Sequence, residues 1–330
     1  MALLAAVSER GPIKSVNEDA CAVLAAESSR GELLMAIVCD GVGGLSCGEL
    51  ASATVVSEFA WWFEHQLPEL LDDARSTELP LVLDAVQEAW AHLLCELNAR
   101  IRGYGKARGI SLATTFTGLL SCEGSFLVGH VGDCRAYLVS ADDMVQLTAD
   151  QTLLAQRLAE GTVSADEACD IPDNVILQAV GAEDELQPVF GRGAYTAGDL
   201  FVVCSDGAYK SVGNSVVREA FQPCVRQGAD IGEAADRLVR RALARGERDN
   251  LTVTCVAPSF SVGSVPPALL GRVSDTASEG FGSSLPVPKV ACSEGDQLMT
   301  EAEASFVMAS RQVDAWPVAG MPTAATGDAR

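Results

Sequence analysis

Positive charge is scarce in this sequence. It carries 23 Lys and Arg against 45 Asp and Glu in 330 residues, a formal net charge of −22. A surface that acidic repels nucleic acid and anionic membrane, and it suits divalent cations as partners. No apolar run approaches the roughly 20 residues that span a bilayer. The opening stretch "MALLAAVSERG" has no basic segment ahead of its apolar residues. No signal peptide is therefore expected, and a cytoplasmic location is. Histidine is nearly absent: His65, His92 and His130 are the whole set, and no two form a spaced pair. The eleven cysteines are scattered singly, without a Cys-x-x-Cys. These two absences argue against a zinc site and a thiol redox motif. Cys39, Cys204 and Cys255 lie in or at the end of apolar runs and read as small hydrophobes. Nucleotide loops fail as well. Gly43-Gly44 is followed by Leu45 and Ser46, where a Walker loop needs Gly-Lys-Ser/Thr and the dinucleotide pattern needs glycine at Ser46.

Apolar content is ample, at 48%, and is enough for a substantial core. Runs rich in Val, Ile, Leu, Phe and Thr predict buried strands over 33–39, 114–120, 126–131, 135–139, 200–204 and 251–257. Trp90, Leu94, Leu97 and Ile101 share one helical face, as do Ile231, Ala235, Leu238 and Ala242. A further helix is expected over 48–65, ending before Pro68. The order is strands, two long helices, strands, helices and strands again. It does not alternate strictly, so it predicts an α+β fold. After Pro258 the composition turns to Ser, Gly, Pro and Ala, and residues 259–330 read as a flexible tail behind a folded domain of residues 1–258.

Acids stand beside the apolar runs: "SVNEDACAV" (Glu18, Asp19), "IVCDGVGG" (Asp40), "LFVVCSDGAY" (Asp206), "GERDNLTVTCV" (Asp249) and "LVGHVGDCRAYLV" (Asp133). One Asp-Gly alone makes a turn. Five such segments need a cation if their carboxylates are buried together, and no segment supplies a cluster of Lys or Arg. All-oxygen ligation suits Mg²⁺ or Mn²⁺. Two such ions roughly 3.5 to 4 Å apart, bridged by one carboxylate, can deprotonate a water in line with a phosphorus atom. Asp40 is the bridge candidate, and Gly41 lets backbone come close to it.

In order and spacing these segments resemble the metal-dependent Ser/Thr protein phosphatases of type 2C, especially the bacterial branch. "GPIKSVNEDA", "DGVGGLSCGELAS", "GHVGDCRAYLV", "VQLTADQTLLAQRLAEG", "VILQAVG", "GDLFVVCSDGAYKSV" and "RDNLTVTCV" carry the likeness over residues 5–257. The resemblance implies a four-layer αββα sandwich of two antiparallel sheets flanked by helices. It implies hydrolysis of phosphoserine and phosphothreonine in proteins by a water or hydroxide bridging two ions of Mn²⁺ or Mg²⁺, with a third, weaker ion in some members. Residues 1–258 would be the catalytic domain, and its substrates the phosphorylated targets of a bacterial Ser/Thr kinase. By the same resemblance Asp40, Asp206 and Asp249 are catalytic metal ligands, and the Gly41 carbonyl joins Asp40. Glu18 and Asp19 serve the second metal, Asp133 pairs with Asp206 at the third position, and residues 161–180 are a flap over the substrate. Lys14 stands where the family usually has a phosphate-binding Arg, and offers a point charge in place of a planar fork. Val42, Leu45, Gln151 and Ile171 stand where many members place His, and Cys134 replaces a Ser. These departures define a second reading, a catalytically impaired module of the same fold that binds a phosphoprotein or kinase.

Overall fold

A computed structural model describes residues 2–28, 30–42, 47–73, 79–164 and 167–258. The tail 259–330 and Leu45 lie outside these described residues. Their strands are β1 (Leu3–Glu9), β2 (Asp19–Ser28), β3 (Gly31–Asp40), β4 (Phe116–Cys122), β5 (Ser125–Val131), β6 (Arg135–Val139), β7 (Met144–Gln146), β8 (Val189–Ala194), β9 (Leu200–Cys204) and β10 (Leu251–Ala257). They make two five-stranded antiparallel sheets, ordered β1-β10-β9-β6-β7 and β2-β3-β4-β5-β8.

The chemistry of β3 shows how the layers arise. Its run "LLMAIVC" is apolar at every position because both faces are covered. Leu33, Met35, Ile37 and Cys39 pack beneath the helices α1 (Gly48–Asp73) and α2 (Leu79–Arg108), in a core with Phe59, Trp62 and Trp90. Leu34, Ala36 and Val38 face the other way, against Ala136 and Leu138 of β6 and Phe201 and Val203 of β9. On the far side of the first sheet, Val202, Cys204, Val253 and Cys255 pack against α4 (Asp206–Tyr209), α5 (Asn214–Gln227) and α6 (Ile231–Ala244). Helices, sheet, sheet and helices follow one another as four layers, the expected αββα sandwich. Between β7 and β8 in the chain lies α3 (Leu153–Ala159), capped by Thr152, whose hydroxyl accepts from the Ala155 N–H. Among the described residues no helix is long and apolar enough to cross a membrane.

The helix expected to stop before Pro68 runs on to Asp73. Proline in a helix interior costs roughly 3 kcal/mol. The i, i+4 series Phe59, Phe63, Leu67 and Leu71 continues across it, with Leu67 and Leu71 only 1% and 5% exposed. Burying those two leucines returns about 1.5 to 3 kcal/mol each, which outweighs the break. The strand expected from residue 114 begins at Phe116, because Thr114 pairs as an isolated bridge with both Gly41 and Val180.

The topology gathers acids at one edge of the sandwich. Asp19 opens β2 and Asp40 closes β3, directly opposite each other in register. Asp206 follows β9, Asp249 precedes β10, and Asp133 sits in the turn between β5 and β6. β9 lies between β10 and β6, with Cys204 opposite both Val253 and Arg135, so these three junctions are neighbours.

Candidate metal centre

Asp40 is pinned through its backbone. Its N–H donates to Thr115 Oγ1 at 2.9 Å, and its carbonyl accepts from the Thr115 N–H at 2.8 Å and from Thr114 Oγ1 at 2.9 Å. Burial, and after it the charges of Asp19, Asp206, Asp133 and Asp249, push its carboxyl well above the usual range. Asp19 is 2% exposed and is held by Ser205, whose Oγ donates to Oδ2 at 2.7 Å. Its Oδ1 is buried without a partner. Burial, opposed by hydroxyl hydrogen bonds and reinforced by Asp206 and Asp249, pushes Asp19 up to about 7. Asp206 likewise has one committed oxygen, Oδ2, and one buried, unpartnered oxygen, Oδ1. Asp133 is 4% exposed and pushed up to about 6 by burial and by Asp206, against the lowering effect of Lys210.

Each Asp of the two Asp-Gly pairs needs its glycine. A Cβ on Gly41 would stand 2.6 Å from the Gly48 carbonyl atoms and 2.7 Å from the Glu18 carbonyl oxygen, and one on Gly207 would stand 2.1 Å from the Asn250 carbonyl oxygen. These are backbone atoms that a side chain cannot displace, so glycine brings Asp40 against the Glu18 segment and Asp206 against the Asp249–Asn250 segment. The Gly41 N–H donates to the Glu18 carbonyl at 3.0 Å.

Two lysines thread the acids. Lys14, expected to bind phosphate, pairs here with Asp249 at 2.8 Å and Glu18 at 3.1 Å. Burial pulls its pKa down, but hydrogen bonds and charge from Asp249 and Glu18 outweigh that and hold it above the ordinary range. Lys210 was not singled out from the sequence. Its Nζ donates to Asp206 Oδ2 at 2.7 Å and Asp133 Oδ2 at 3.1 Å. The expected Asp133–Asp206 pairing is therefore made through an ammonium. Its i, i+4 spacing from Asp206 was the available signal. Asn250 was also missed. Its Oδ1 accepts from the Glu18 N–H at 2.9 Å, and its Nδ2 donates to the carbonyls of Arg10 at 2.8 Å and Val16 at 3.2 Å, which straps the Lys14–Glu18 segment to the start of β10. A polar side chain binding distant backbone has no sequence signature.

At the positions lacking His, Gln151 clamps the turn that carries Asp133: its Oε1 accepts from the Gly132 N–H at 2.8 Å, and its own N–H donates to the Gly132 carbonyl at 2.8 Å. Val42 is half-buried with its N–H on the Ala113 carbonyl at 3.0 Å, and Ile171 follows a short 3₁₀ turn inside the expected flap.

The structure thus brings Glu18, Asp19, Asp40, Asp133, Asp206 and Asp249 to one place. Among the described residues, no three of its His, Cys, Asp or Glu side chains close tightly enough to enclose an ion as they stand. Lys14 and Lys210 engage four of the carboxylates. The donor set still fits a hard divalent cation, since it is all oxygen. Asp19 Oδ1 and Asp206 Oδ1 are buried polar atoms with no protein partner, a costly arrangement that a cation relieves.

A family model described as Protein phosphatase 2C matches residues 13–245. Serine/threonine protein phosphatase PstP of Mycobacterium tuberculosis is 28% identical over 303 residues, covering 91% of this chain and 52% of that protein. Protein phosphatase PhpP of Streptococcus pneumoniae is 29% identical over 226 residues, covering 68% of this chain and 85% of that protein. The chain thus spans about half the length of PstP. Among solved structures, the catalytic domain of serine threonine protein phosphatase PstP in complex with two manganese ions matches with a TM-score of 0.59 and 29% identity, covering 79% of this chain and all of that one.

Proposed function

Because the chain belongs to the protein phosphatase 2C family, we propose that it hydrolyses phosphoserine and phosphothreonine in proteins, using two Mn²⁺ or Mg²⁺ ions. The observation that carries this reading is the convergence of buried and half-buried carboxylates, two of them with buried, unpartnered oxygens, at one edge of the sandwich. The carboxylates of Asp40, Asp19, Asp206 and Asp249, with Glu18 and the Gly41 carbonyl, would hold the ions. When bound, divalent cations supply charge for the phosphoryl oxygens and lower the pKa of a water for attack on phosphorus.

The chain's own residues do the rest. Thr114 and Thr115 fix the Asp40 backbone at the end of β3, so its carboxylate is placed before any ion arrives. Ser205 takes one oxygen of Asp19 and leaves the other free. The charge of Lys14 is bound to Asp249 and Glu18. Partly exposed beside the acids, the Lys14 ammonium would meet the anionic phosphoryl group of the substrate. The exposed Ile13 and Val16 on either side of it offer apolar contact to the peptide around the phosphate. Residues 1–258 are the catalytic unit, and the substrates are phosphoproteins made by a Ser/Thr kinase.

The purified chain should release phosphate from phosphoserine and phosphothreonine peptides in Mn²⁺ and should stop when the metal is chelated, with recovery on resupply. Equal release in chelator would refute the proposal. Lys14→Ala should raise KM for a phosphopeptide by about ten- to a hundredfold while the enzyme still turns over, the worth of one charge-assisted hydrogen bond of about 1.5 to 3 kcal/mol. An unchanged KM would take Lys14 out of phosphate binding.

A further inference from the structure

Asp133 and Asp206 come from different junctions of the sheet and meet across a single ammonium. Lys210 Nζ lies 2.7 Å from Asp206 Oδ2 and 3.1 Å from Asp133 Oδ2. We propose that Lys210 is a built-in counter-cation that takes the place of a divalent ion between Asp133 and Asp206, so that this protein binds divalent metal only on the Asp19–Asp40 side of the cluster. The inference rests on the metal-dependent reading above.

Two buried carboxylates facing each other need a cation, and either a metal ion or an ammonium meets that need. Here the ammonium is held on a fixed scaffold. Lys210 caps α4, one helical turn beyond Asp206, and its N–H donates to the Asp206 carbonyl at 2.8 Å. Asp133 is fixed by Tyr209, whose hydroxyl donates to the Asp133 carbonyl at 2.8 Å. The Arg135 guanidinium covers the Tyr209 ring at 3.8 Å and forks onto Asp150 at 2.8 and 2.6 Å. A divalent ion entering between the carboxylates would strip the ammonium of both partners and leave it uncompensated. The arrangement also divides Asp206 between two tasks. Oδ2 serves Lys210, and the unpartnered Oδ1 is left for the metal side. Lys210 thereby acts as a positioning residue for Asp206.

The count of bound Mn²⁺ tests this. It is measured on the full-length chain by equilibrium dialysis, with free ion followed by electron paramagnetic resonance. Lys210→Ala should bind one more Mn²⁺ per chain than the unaltered protein. Adding Asp133→Asn to that variant should remove the gained ion, whereas Asp133→Asn alone should leave the count unchanged. Lys210→Met, which keeps the apolar stem, should give the same gain if Lys210→Ala fails to fold. Equal counts in the unaltered protein and the folded Lys210 variants would overturn the proposal, as would loss of an ion in Asp133→Asn alone. A gain of one over an unaltered protein that binds none would support Lys210's role while sinking the metal-dependent phosphatase reading. Three ions in the unaltered protein would sink this inference and leave that reading standing.

Discussion

Asp40→Asn is expected to abolish phosphopeptide turnover, by on the order of a thousandfold or more, and at the same time to raise the thermal stability of the metal-free protein. Asn keeps the size of the side chain, and the backbone bonds to Thr114 and Thr115 do not involve the carboxylate. What it removes is the negative charge at the centre of the acids, the group on which Asp19, Asp206, Asp133 and Asp249 all act. A metal acting as a Lewis acid is worth several kcal/mol of transition-state stabilisation, and each 1.36 kcal/mol is tenfold in rate. Without metal, the same charge is a liability to the fold, because burial and four like neighbours disfavour it. Loss of function should therefore come with gain of stability, as expected where a site is built against the fold's own preference. Phosphopeptide assays and thermal melts in chelator measure the two effects. Turnover near that of the unaltered chain would remove Asp40 from the centre. A lowered melting temperature in chelator would show that its carboxylate is structurally satisfied without metal.

The six strands visible in the sequence are the interior ones, β3, β4, β5, β6, β9 and β10, and the four that were missed, β1, β2, β7 and β8, are the edges of the two sheets. The reason is burial. An interior strand of a four-layer sandwich is covered on both faces and reads as a continuous apolar run, such as "LLMAIVC" or "LFVVC". An edge strand is half-exposed along most of its length. β2, "DACAVLAAES", has no run of large apolar residues, and β8, "VFGRGA", mixes Gly and Arg. Their place is fixed by pairing with a neighbour, which composition does not record.

The acids were legible for a related reason. An aspartate that follows an apolar run marks where a strand leaves the core, and several such ends converge when the strands share an edge. Their counter-cations were not legible. Lys14 and Lys210 are single basic residues in segments of mixed charge, and each finds its partners across the fold: Lys14 reaches Asp249 and Lys210 reaches Asp133. No segment supplies a basic cluster, yet one lysine placed between two carboxylates from distant segments serves as well.

Stripped of divalent metal, the protein is expected to lose stability as pH rises from 6.5 to 8, and Mn²⁺ is expected to reverse the trend. In the folded chain burial carries Asp19 up to about 7 and Asp40 well above the usual range, while an unfolded aspartate titrates near 3.9. Between those values the folded state holds protons that the unfolded state has released, so stability falls with rising pH and the loss is complete only above the folded pKa. Asp133, pushed up to about 6, adds to the fall at lower pH. His130 works in the opposite sense. Burial lowers it to about 4, so relative to an unfolded histidine near 6.5 its contribution grows as pH rises and is fully present above 6.5. The two effects oppose each other below pH 6.5, and the histidine contribution is constant above it. Each proton retained only by the folded state costs about 1.4 kcal/mol per pH unit until the folded pKa of that group is passed. Divalent metal binds the ionised carboxylates, and its stabilising effect should grow over the same interval. Urea midpoints at pH 6.5, 7, 7.5 and 8, in chelator and in Mn²⁺, give the comparison, and in chelator Asp40→Asn should show a shallower slope than the unaltered chain. A chelator curve that is flat or rises across this range would mean that the carboxyls are ionised without strain in the folded state, and the electrostatic case for a metal centre would fall with it.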